Sequence, residues 1–182
     1  MKPGVRISGG EFRGRSLAVP PGARPTEGRV REALFSIWHD RLEGARVLDL
    51  FAGSGAVALE ALGRGALSAL AVDGDLRAVK TLESNAERLG ERLLEIRRLS
   101  LPAGLTRLIE ERAGPFDLVY ADPPYNFAPY PELLQAIVPL LAPDGEIAAE
   151  HTSRREMPIE VGPLTRVDVR RYGESAISFY RL

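Results

Sequence analysis

The sequence contains no cysteine and only two histidines, His39 and His151, among its 182 residues. Without cysteine the chain can form neither disulfides nor thiolate metal sites, and two isolated histidines do not make a histidine-based metal site. No apolar run approaches the ~18 residues of a membrane-spanning helix, and no apolar signal region follows Met1-Lys2-Pro3-Gly4. We therefore expect a monomeric cytoplasmic protein that needs no metal and contacts no membrane.

Lysine is also scarce, since all basic residues except Lys2 and Lys80 are arginine. The formal net charge of −1 conceals an asymmetry, because residues 1–31 carry seven basic and two acidic residues, a net +5, which leaves −6 on the rest. A basic segment on a mildly acidic body favours contact with a polyanion, although a solvated charged arm without a partner has the same composition.

The basic segment begins with a loose alternation of apolar and polar residues over positions 5–19, with a turn at Ser8-Gly9-Gly10. This pattern predicts a short β-hairpin whose polar positions carry Arg6, Arg13 and Arg15. A connector rich in proline and glycine follows, and helical spacing behind it predicts an amphipathic helix over residues 27–42 with Trp38 in the core. We therefore divide the chain into a hairpin and connector, residues 1–26, and a main domain, residues 27–182.

From residue 45 onward, strand-like apolar runs alternate with helical patterns. The predicted strands cover residues 46–51, 67–72, 93–99, 116–121, 146–150, 164–169 and 175–180. Such alternation is typical of an α/β fold with a doubly wound, mostly parallel sheet, here of seven strands, and helices on both faces. The last two runs leave no room for a helix between them and predict an antiparallel C-terminal hairpin turning at Tyr172-Gly173.

In a doubly wound sheet, ligands bind beyond the carboxyl ends of the strands, where the loops after neighbouring strands converge. The loop after the first strand reads Asp49-Leu50-Phe51-Ala52-Gly53-Ser54-Gly55, and Asp73 ends the second strand. Gly53 and Gly55 would let a ligand approach the backbone, Asp49 could accept bonds from a cationic group or brace the loop, and Asp73 suits ribose hydroxyls. A dinucleotide site would use the same residues, so the loop alone leaves the cofactor open.

A second motif, Asp122-Pro123-Pro124-Tyr125, follows the apolar run of residues 116–121. It combines one carboxylate acceptor, carbonyl groups on a rigid backbone and an aromatic ring. These groups can hold an exocyclic amine and stack on the ring that bears it. A Pro-Pro turn that merely ends a buried strand would read the same way.

The order of Asp49-x-Phe51-x-Gly53-x-Gly55, Asp73 and Asp122-Pro123-Pro124-Tyr125 resembles the class I S-adenosylmethionine-dependent methyltransferases that act on exocyclic amines. Further segments narrow the resemblance to the bacterial 16S ribosomal RNA guanine-N2 methyltransferase family. They are Arg6-Ile7-Ser8-Gly9-Gly10, Phe12-Arg13-Gly14-Arg15, Arg24-Pro25-Thr26, Arg29-Val30-Arg31-Glu32-Ala33-Leu34-Phe35, Tyr172-Gly173 and Ala176-Ile177-Ser178-Phe179-Tyr180. The resemblance implies transfer of a methyl group from S-adenosylmethionine to N2 of a guanine in 16S ribosomal RNA, free or in the assembling small subunit.

The resemblance also implies roles for individual residues. Asp122, Pro123 and Tyr125 would hold the target base as the catalytic group. Asp49, Phe51, Gly53, Ser54, Gly55 and Asp73 would bind the cofactor, joined by Ser100 and Leu101, which stand where relatives place Asp or Asn against the adenine amine. Thr26 would close over the cofactor or simply cap the following helix. Arg6, Arg13, Arg15 and Arg24 would meet RNA phosphates.

Three other functions remain open at the level of sequence. An adenine-N6 methyltransferase would use the same proline motif but usually brings a separate target-recognition region. An NAD-dependent oxidoreductase would use the glycine loop but needs a hydride-relay residue. A non-catalytic RNA-binding module would need only the arginine hairpin.

Overall fold

A computed structural model describes residues 4–22 and 28–182. Arg24 and Thr26, predicted to contact RNA and cofactor respectively, lie outside the described residues. Within the described part of the chain, no helix is both long enough and apolar enough to cross a membrane.

The centre of the described part of the chain is a mixed sheet of eight strands. They are β3 (Arg46–Leu50), β4 (Ser68–Asp73), β5 (Leu94–Arg98), β6 (Phe116–Ala121), β7 (Leu141–Thr152), β8 (Glu160–Val161), β9 (Leu164–Tyr172) and β10 (Ser175–Arg181). Across the sheet they lie in the order β5-β4-β3-β6-β7-β10-β9-β8. The first five strands pair in parallel, and β8, β9 and β10 pair antiparallel. The seven predicted strands and the C-terminal hairpin are confirmed, and the two-residue β8 adds an eighth strand at one edge.

Helices cover both faces of this sheet, as the doubly wound pattern predicts. They are α1 (Gly28–Ile37), α2 (Ala56–Gly63), α3 (Leu76–Leu89), α4 (Leu105–Glu110) and α5 (Tyr130–Ile137), with short 3₁₀ turns at His39–Arg41 and Val138–Leu140. One apolar cluster packs α4 and α5 on Leu48 and Val119, and another packs α1, α2 and α3 on Val47 and Leu118. Successive strand residues therefore enter opposite cores.

Two predicted helices end earlier than their apolar spacing suggests. The helix expected to continue to residue 42 stops at Ile37, and Trp38 lies fully buried before a 3₁₀ turn, which confirms its core position. The spacing of Leu133, Leu134, Ile137, Val138 and Leu141 predicts a helix that ends at Pro143-Asp144-Gly145, but the observed helix stops at Ile137 because Pro139 lacks the N–H that would continue it. The residues behind it then enter β7.

The N-terminal hairpin consists of β1 (Val5–Arg6) and β2 (Ser16–Leu17), which pair antiparallel. Its apolar side chains share a small core with α2 and α3, where Ile7 and Phe12 meet Leu59 and Ala86. The hairpin is therefore packed against the main domain.

A buried carboxylate, Glu60 of α2, fixes this packing. Its side chain accepts hydrogen bonds from the Ser8 backbone N–H at 3.1 Å, Arg31 Nε at 3.0 Å and Arg64 Nη2 at 2.8 Å. Because a buried charge is tolerated when it is paired and hydrogen-bonded, Glu60 joins the hairpin, α1 and the end of α2.

Candidate active site

The described residues form a cleft of about 690 Å³ beyond the carboxyl ends of β3, β4 and β6. Its wall includes five of the predicted cofactor residues, Asp49, Phe51, Gly53, Ser54 and Asp73, and all three predicted base-binding residues, Asp122, Pro123 and Tyr125. The structure thus brings the two motifs together, as expected from the topology of a doubly wound sheet.

The loop between β3 and α2 owes its shape to left-handed backbone conformations at Phe51 (φ 60°), Gly53 (φ 55°) and Gly55 (φ 79°). A methyl group added to Gly53 would meet no atom within 4 Å, whereas one added to Gly55 would lie 1.9 Å from Leu82 Cδ1. Gly53 therefore leaves space on the cleft side of the loop. Gly55 does not line the cleft, and packing against α3 accounts for the lack of a side chain there.

Asp73 ties the ends of two neighbouring strands together. Its Oδ2 accepts a hydrogen bond from the Gly53 N–H at 2.9 Å, and its Oδ1 accepts one from the Asp75 N–H at 2.9 Å. Both oxygens keep a further lone pair, because each carboxylate oxygen can accept about two bonds. Asp73 can therefore brace the glycine loop and still accept hydrogen bonds from a ribose.

Asp49 is almost fully buried at the floor of the cleft. Burial raises the pKa of Asp49 to about 7, more than the hydrogen bond from the Ala58 backbone N–H (3.1 Å) lowers it, and the charge of Asp73 raises it further. Asp49 is therefore placed for both roles suggested by the sequence. It braces the start of α2 through Ala58, and it faces the cleft, where it can accept bonds from a cationic group. A cationic ligand group beside it would favour the ionised carboxylate.

The proline motif is anchored on both sides. The Asp122 N–H donates to the Leu50 carbonyl at 3.3 Å, and the Phe127 N–H donates to the Pro124 carbonyl at 2.8 Å. The ring of Phe127 packs edge-on against Phe51 with ring centroids 5.4 Å apart. The glycine loop and the proline motif are therefore held together by direct contacts.

Tyr125 stands at the mouth of the cleft with 39% of its surface exposed. Its hydroxyl lies 3.4 Å from the hydroxyl of Ser175 on β10. An aromatic ring that is held at one end and open to solvent can stack on a base that enters from outside.

Tyr120, Glu150 and Ser175 are among the residues of the cleft wall that sequence reasoning missed. Glu150 is 4% exposed and accepts a hydrogen bond from the Tyr120 hydroxyl. Glu150 could have been suspected from the sequence because it stands inside the strand-like run of residues 146–151. Charged side chains are rarely buried in a strand without a partner or a function. The wall also includes Pro20, Pro21 and Gly22 of the connector.

Other predicted residues lie away from the cleft. Ser100 and Leu101 follow β5 and do not contribute to its wall, and Leu101 packs on the core beneath α4. Their contact with the adenine amine stays a prediction. His151 is a buried residue whose Nδ1 lies 2.8 Å from the Thr152 carbonyl and whose Nε2 lies 2.8 Å from Ser178 Oγ.

The hairpin arginines are exposed. Arg6, Arg13 and Arg15 all have accessible side chains, although Arg15 donates one hydrogen bond to the Arg88 carbonyl at 3.2 Å. A second basic group, Arg154, Arg170 and Arg171, is exposed near the turn that carries Ser175. Among residues 4–22 and 28–182, no group of acidic and histidine side chains has the geometry of a metal site.

Residues 5–181 match the family described as "Conserved hypothetical protein 95". "Putative rRNA methyltransferase YlbH" of Bacillus subtilis (strain 168) is 34% identical over 97% of this chain and 98% of its own. "Ribosomal RNA small subunit methyltransferase D" of Escherichia coli (strain K12) is 36% identical over 87% of this chain and 77% of its own.

Solved structures show the same fold. "Putative methyltransferase yhhF from Escherichia coli" superposes with a TM-score of 0.80 and 31% identity, covering 97% of both chains. "Crystal structure of SMU.776, a putative methyltransferase complexed with SAH" superposes with a TM-score of 0.72 at 15% identity. It covers 94% of this chain and 52% of the other, and this likeness shows the fold alone. The predicted methyltransferase fold is therefore confirmed, and the chain belongs to the "Conserved hypothetical protein 95" family, together with the bacterial methyltransferases of small-subunit ribosomal RNA.

Proposed function

We propose that the protein transfers a methyl group from S-adenosylmethionine to the exocyclic N2 amine of a guanine in 16S ribosomal RNA. The observation that carries this proposal is the single cleft in which the glycine loop and the Asp122-Pro123-Pro124-Tyr125 motif meet. The family relationship supplies the substrate class, since the relatives are ribosomal RNA methyltransferases by name. The reaction belongs in the cytoplasm, where bacterial ribosomal RNA is found, and one chain supplies both motifs, which is consistent with a monomer.

The cofactor half of the cleft fits S-adenosylmethionine. Its volume of about 690 Å³ lies within the range of roughly 300–1,000 Å³ that small-molecule sites occupy. The open side of Gly53 leaves room beside the backbone, Asp49 can face the cationic amino group, and Asp73 can accept from the ribose hydroxyls. When bound, S-adenosylmethionine supplies an electrophilic methyl group on a sulfonium.

The base half of the cleft acts by alignment. The amine lone pair of guanine is delocalised into the ring, so hydrogen bonds from the amine to the Asp122 carboxylate and the Pro123 carbonyl would orient it for in-line attack. The N–C bond would form at the expense of the S–C bond of the sulfonium, and the amine would then release one proton to solvent. Stacking on Tyr125 returns about 1–3 kcal/mol of the few kcal/mol needed to unstack the base.

RNA would approach the cleft over the exposed arginines of the hairpin, Arg6, Arg13 and Arg15, whose connector contributes to the cleft wall. The exposed Arg171 pairs with Ala176, the residue after Ser175 of the cleft wall, and would add a further contact. Arginine side chains can neutralise phosphates that flank an extruded base.

The oxidoreductase alternative has little support in the structure. A histidine is a common hydride-relay residue, but His151 does not line the cleft, and its Nε2 is hydrogen-bonded to Ser178 Oγ. The other histidine, His39, lies in the 3₁₀ turn after α1. Burial also lowers the pKa of His151.

The proposal is tested by incubating the protein with unmethylated 16S ribosomal RNA or small subunits and methyl-labelled S-adenosylmethionine. Nucleoside analysis should find the label in N2-methylguanosine, and fragment mapping should place it at one nucleotide. Asp122→Ala should lower the activity by roughly 10²- to 10³-fold, whereas Asp144→Ala, which changes an exposed acid that does not line the cleft, should retain it. Label in N6-methyladenosine would favour the adenine alternative, and binding of NAD in preference to S-adenosylmethionine by calorimetry would refute the methyltransferase assignment.

A further inference from the structure

Glu150 is a second carboxylate beside Asp122 in the wall of the cleft. Strands β6 and β7 run parallel, with Tyr120 opposite Ala148 and Ala121 opposite Ala149. Extending this register by one residue past the end of β6 would place Asp122 opposite Glu150. Paired residues point to the same face of a sheet, and neighbouring strands lie about 4.8 Å apart. The extended register therefore brings the two carboxyl groups to one face at the carboxyl end of the sheet, where both line the cleft.

Two tyrosines hold Glu150 in this position. The Tyr120 hydroxyl donates to Glu150 Oε2, and the Tyr130 hydroxyl donates to the Glu150 backbone carbonyl at 2.8 Å. Tyr120 is fully buried, and burial together with the charges of Glu150 and Asp122 raises its pKa well above the usual value. Tyr120 thus stays protonated and acts as a fixed donor, which makes Glu150 an acceptor.

The acceptor capacity of Glu150 extends beyond this bond. A carboxylate offers about four lone-pair positions, so it can accept from Tyr120 and also from a ligand in the cleft. With 4% of its surface exposed, the side chain is oriented by its surroundings and has little freedom to turn away. The cleft wall therefore contains two carboxyl groups that can accept hydrogen bonds, those of Asp122 and Glu150.

Two adjacent acceptors match the edge of guanine and do not match that of adenine. Guanine carries hydrogen-bond donors at N1 and at the N2 amine, which are neighbouring atoms of the ring edge. Adenine carries an acceptor at N1, and a carboxylate facing it would oppose one lone pair with another. Proteins that bind an extruded base read it through hydrogen bonds to this edge.

We infer that Glu150 accepts the N1–H of the target guanine while Asp122 holds the N2 amine, so that Glu150 determines the choice of guanine and Tyr120 positions it. This inference rests on the proposed function and names its specificity-determining residue. A site built to hydrogen-bond a substrate N–H can reject an analogue that lacks it by as much as about 10⁴-fold. The choice of base would then depend on Glu150 more than on Asp122.

The test uses 2-aminopurine, which keeps the amine that receives the methyl group but has an acceptor at N1. Small subunits are reconstituted with 16S ribosomal RNA carrying guanine or 2-aminopurine at the mapped position, and kcat/KM is measured for both. The wild-type protein should prefer guanine by at least ~10²-fold. Glu150→Gln should narrow this preference at least tenfold, because an amide can accept from N1–H or donate to a bare N1.

Glu146→Gln is the matched control. Glu146 is a buried glutamate of the same strand that bonds to Trp38 and Arg181 and does not line the cleft, so its replacement should leave the preference unchanged. If Glu150→Gln fails to fold, Tyr120→Phe replaces it, and loss of the positioning hydroxyl should narrow the preference about threefold.

An unchanged preference in the folded variant, or equal use of both bases by the wild type, would overturn the role of Glu150. Failure of the wild type to methylate any guanine would instead overturn the proposed function. The two failures are thus distinguishable.

Discussion

Replacing Asp49 by asparagine should stabilise the protein at neutral and alkaline pH. The Asp49 carboxyl group is 1% exposed, and its Oδ2 accepts a hydrogen bond from the Ala58 N–H at 3.1 Å. An asparagine oxygen can accept the same bond without carrying a charge into the buried site. The substitution therefore removes the cost of burying the charge and preserves the brace at the start of α2.

The size of this effect follows from the pKa of Asp49, which burial raises from 3.8 to about 7. Because the folded protein holds the proton more tightly than the unfolded chain, the wild-type free energy of unfolding falls as pH rises between these two values. From about pH 5 to about pH 8 the fall is on the order of 3 kcal/mol, since about two pH units of that interval lie below 7 and each contributes about 1.4 kcal/mol. Above pH 7 the contribution of Asp49 to the free energy of unfolding no longer changes with pH.

The assay is urea denaturation of both proteins at about pH 5 and about pH 8, with the linear extrapolation applied to each. The advantage of Asp49→Asn over wild type should grow by about 3 kcal/mol toward the higher pH, because all other titrating groups are shared. A difference that does not change with pH, or a variant that is less stable at about pH 8, would refute the buried-charge reasoning.

The same variant should bind S-adenosylmethionine more weakly. If Asp49 faces the cationic amino group, binding favours the ionised carboxylate and releases a proton, so wild-type affinity should rise with pH up to about 7. Calorimetry should find this pH dependence in the wild type and lose it in Asp49→Asn. Equal pH dependence in both would place the amino group elsewhere.

Three further substitutions test the other parts of the site. Asp122→Ala should lower kcat by roughly 10²- to 10³-fold with nearly unchanged cofactor affinity by calorimetry, because its contact acts in the transition state; full activity would exclude it from the mechanism. Asp73→Ala should weaken S-adenosylmethionine binding by about 1.5–3 kcal/mol in the same assay, and unchanged affinity would show that the ribose is held elsewhere. Replacing Arg13 and Arg15 by alanine should reduce the dependence of log RNA affinity on log salt concentration by nearly one unit for each lost phosphate contact, with cofactor affinity intact. If this slope does not change, the hairpin arginines do not contact RNA phosphates, and the hairpin is a structural element.

The chemistry of the site could be predicted from the sequence where neighbouring residues carry it. Asp122, Pro123 and Tyr125 lie within four consecutive positions and all line the cleft, so the sequence alone displays their acceptors and aromatic ring together. The position of Asp73 in the cleft wall could be predicted because the strand pattern of residues 67–72 ends next to it. In a parallel sheet, the carboxyl end of that strand lies beside the glycine loop. The resemblance to the methyltransferase family added the cofactor and substrate.

Gly55 shows where such reasoning stops. The glycine pattern suggested a close ligand approach at both Gly53 and Gly55, but the contact that explains Gly55 is with Leu82, 27 positions away in the sequence. The hairpin gives a second example. Its turn and arginines were visible locally, whereas its attachment through Glu60 depends on a residue 52 positions from Ser8.

The sequence by itself determined the order of strands and helices, the two ligand-binding motifs and the basic character of the N-terminus. These features depend on periodicity and on the chemistry of nearby side chains, which any segment carries with it. The tertiary structure decided that Glu150 lines the cleft together with Asp122, that the Tyr120 hydroxyl donates to Glu150 and that the hairpin shares a core with α2. These arrangements depend on strand register and on contacts between distant residues, because a shift of one position would turn Glu150 to the opposite face of the sheet.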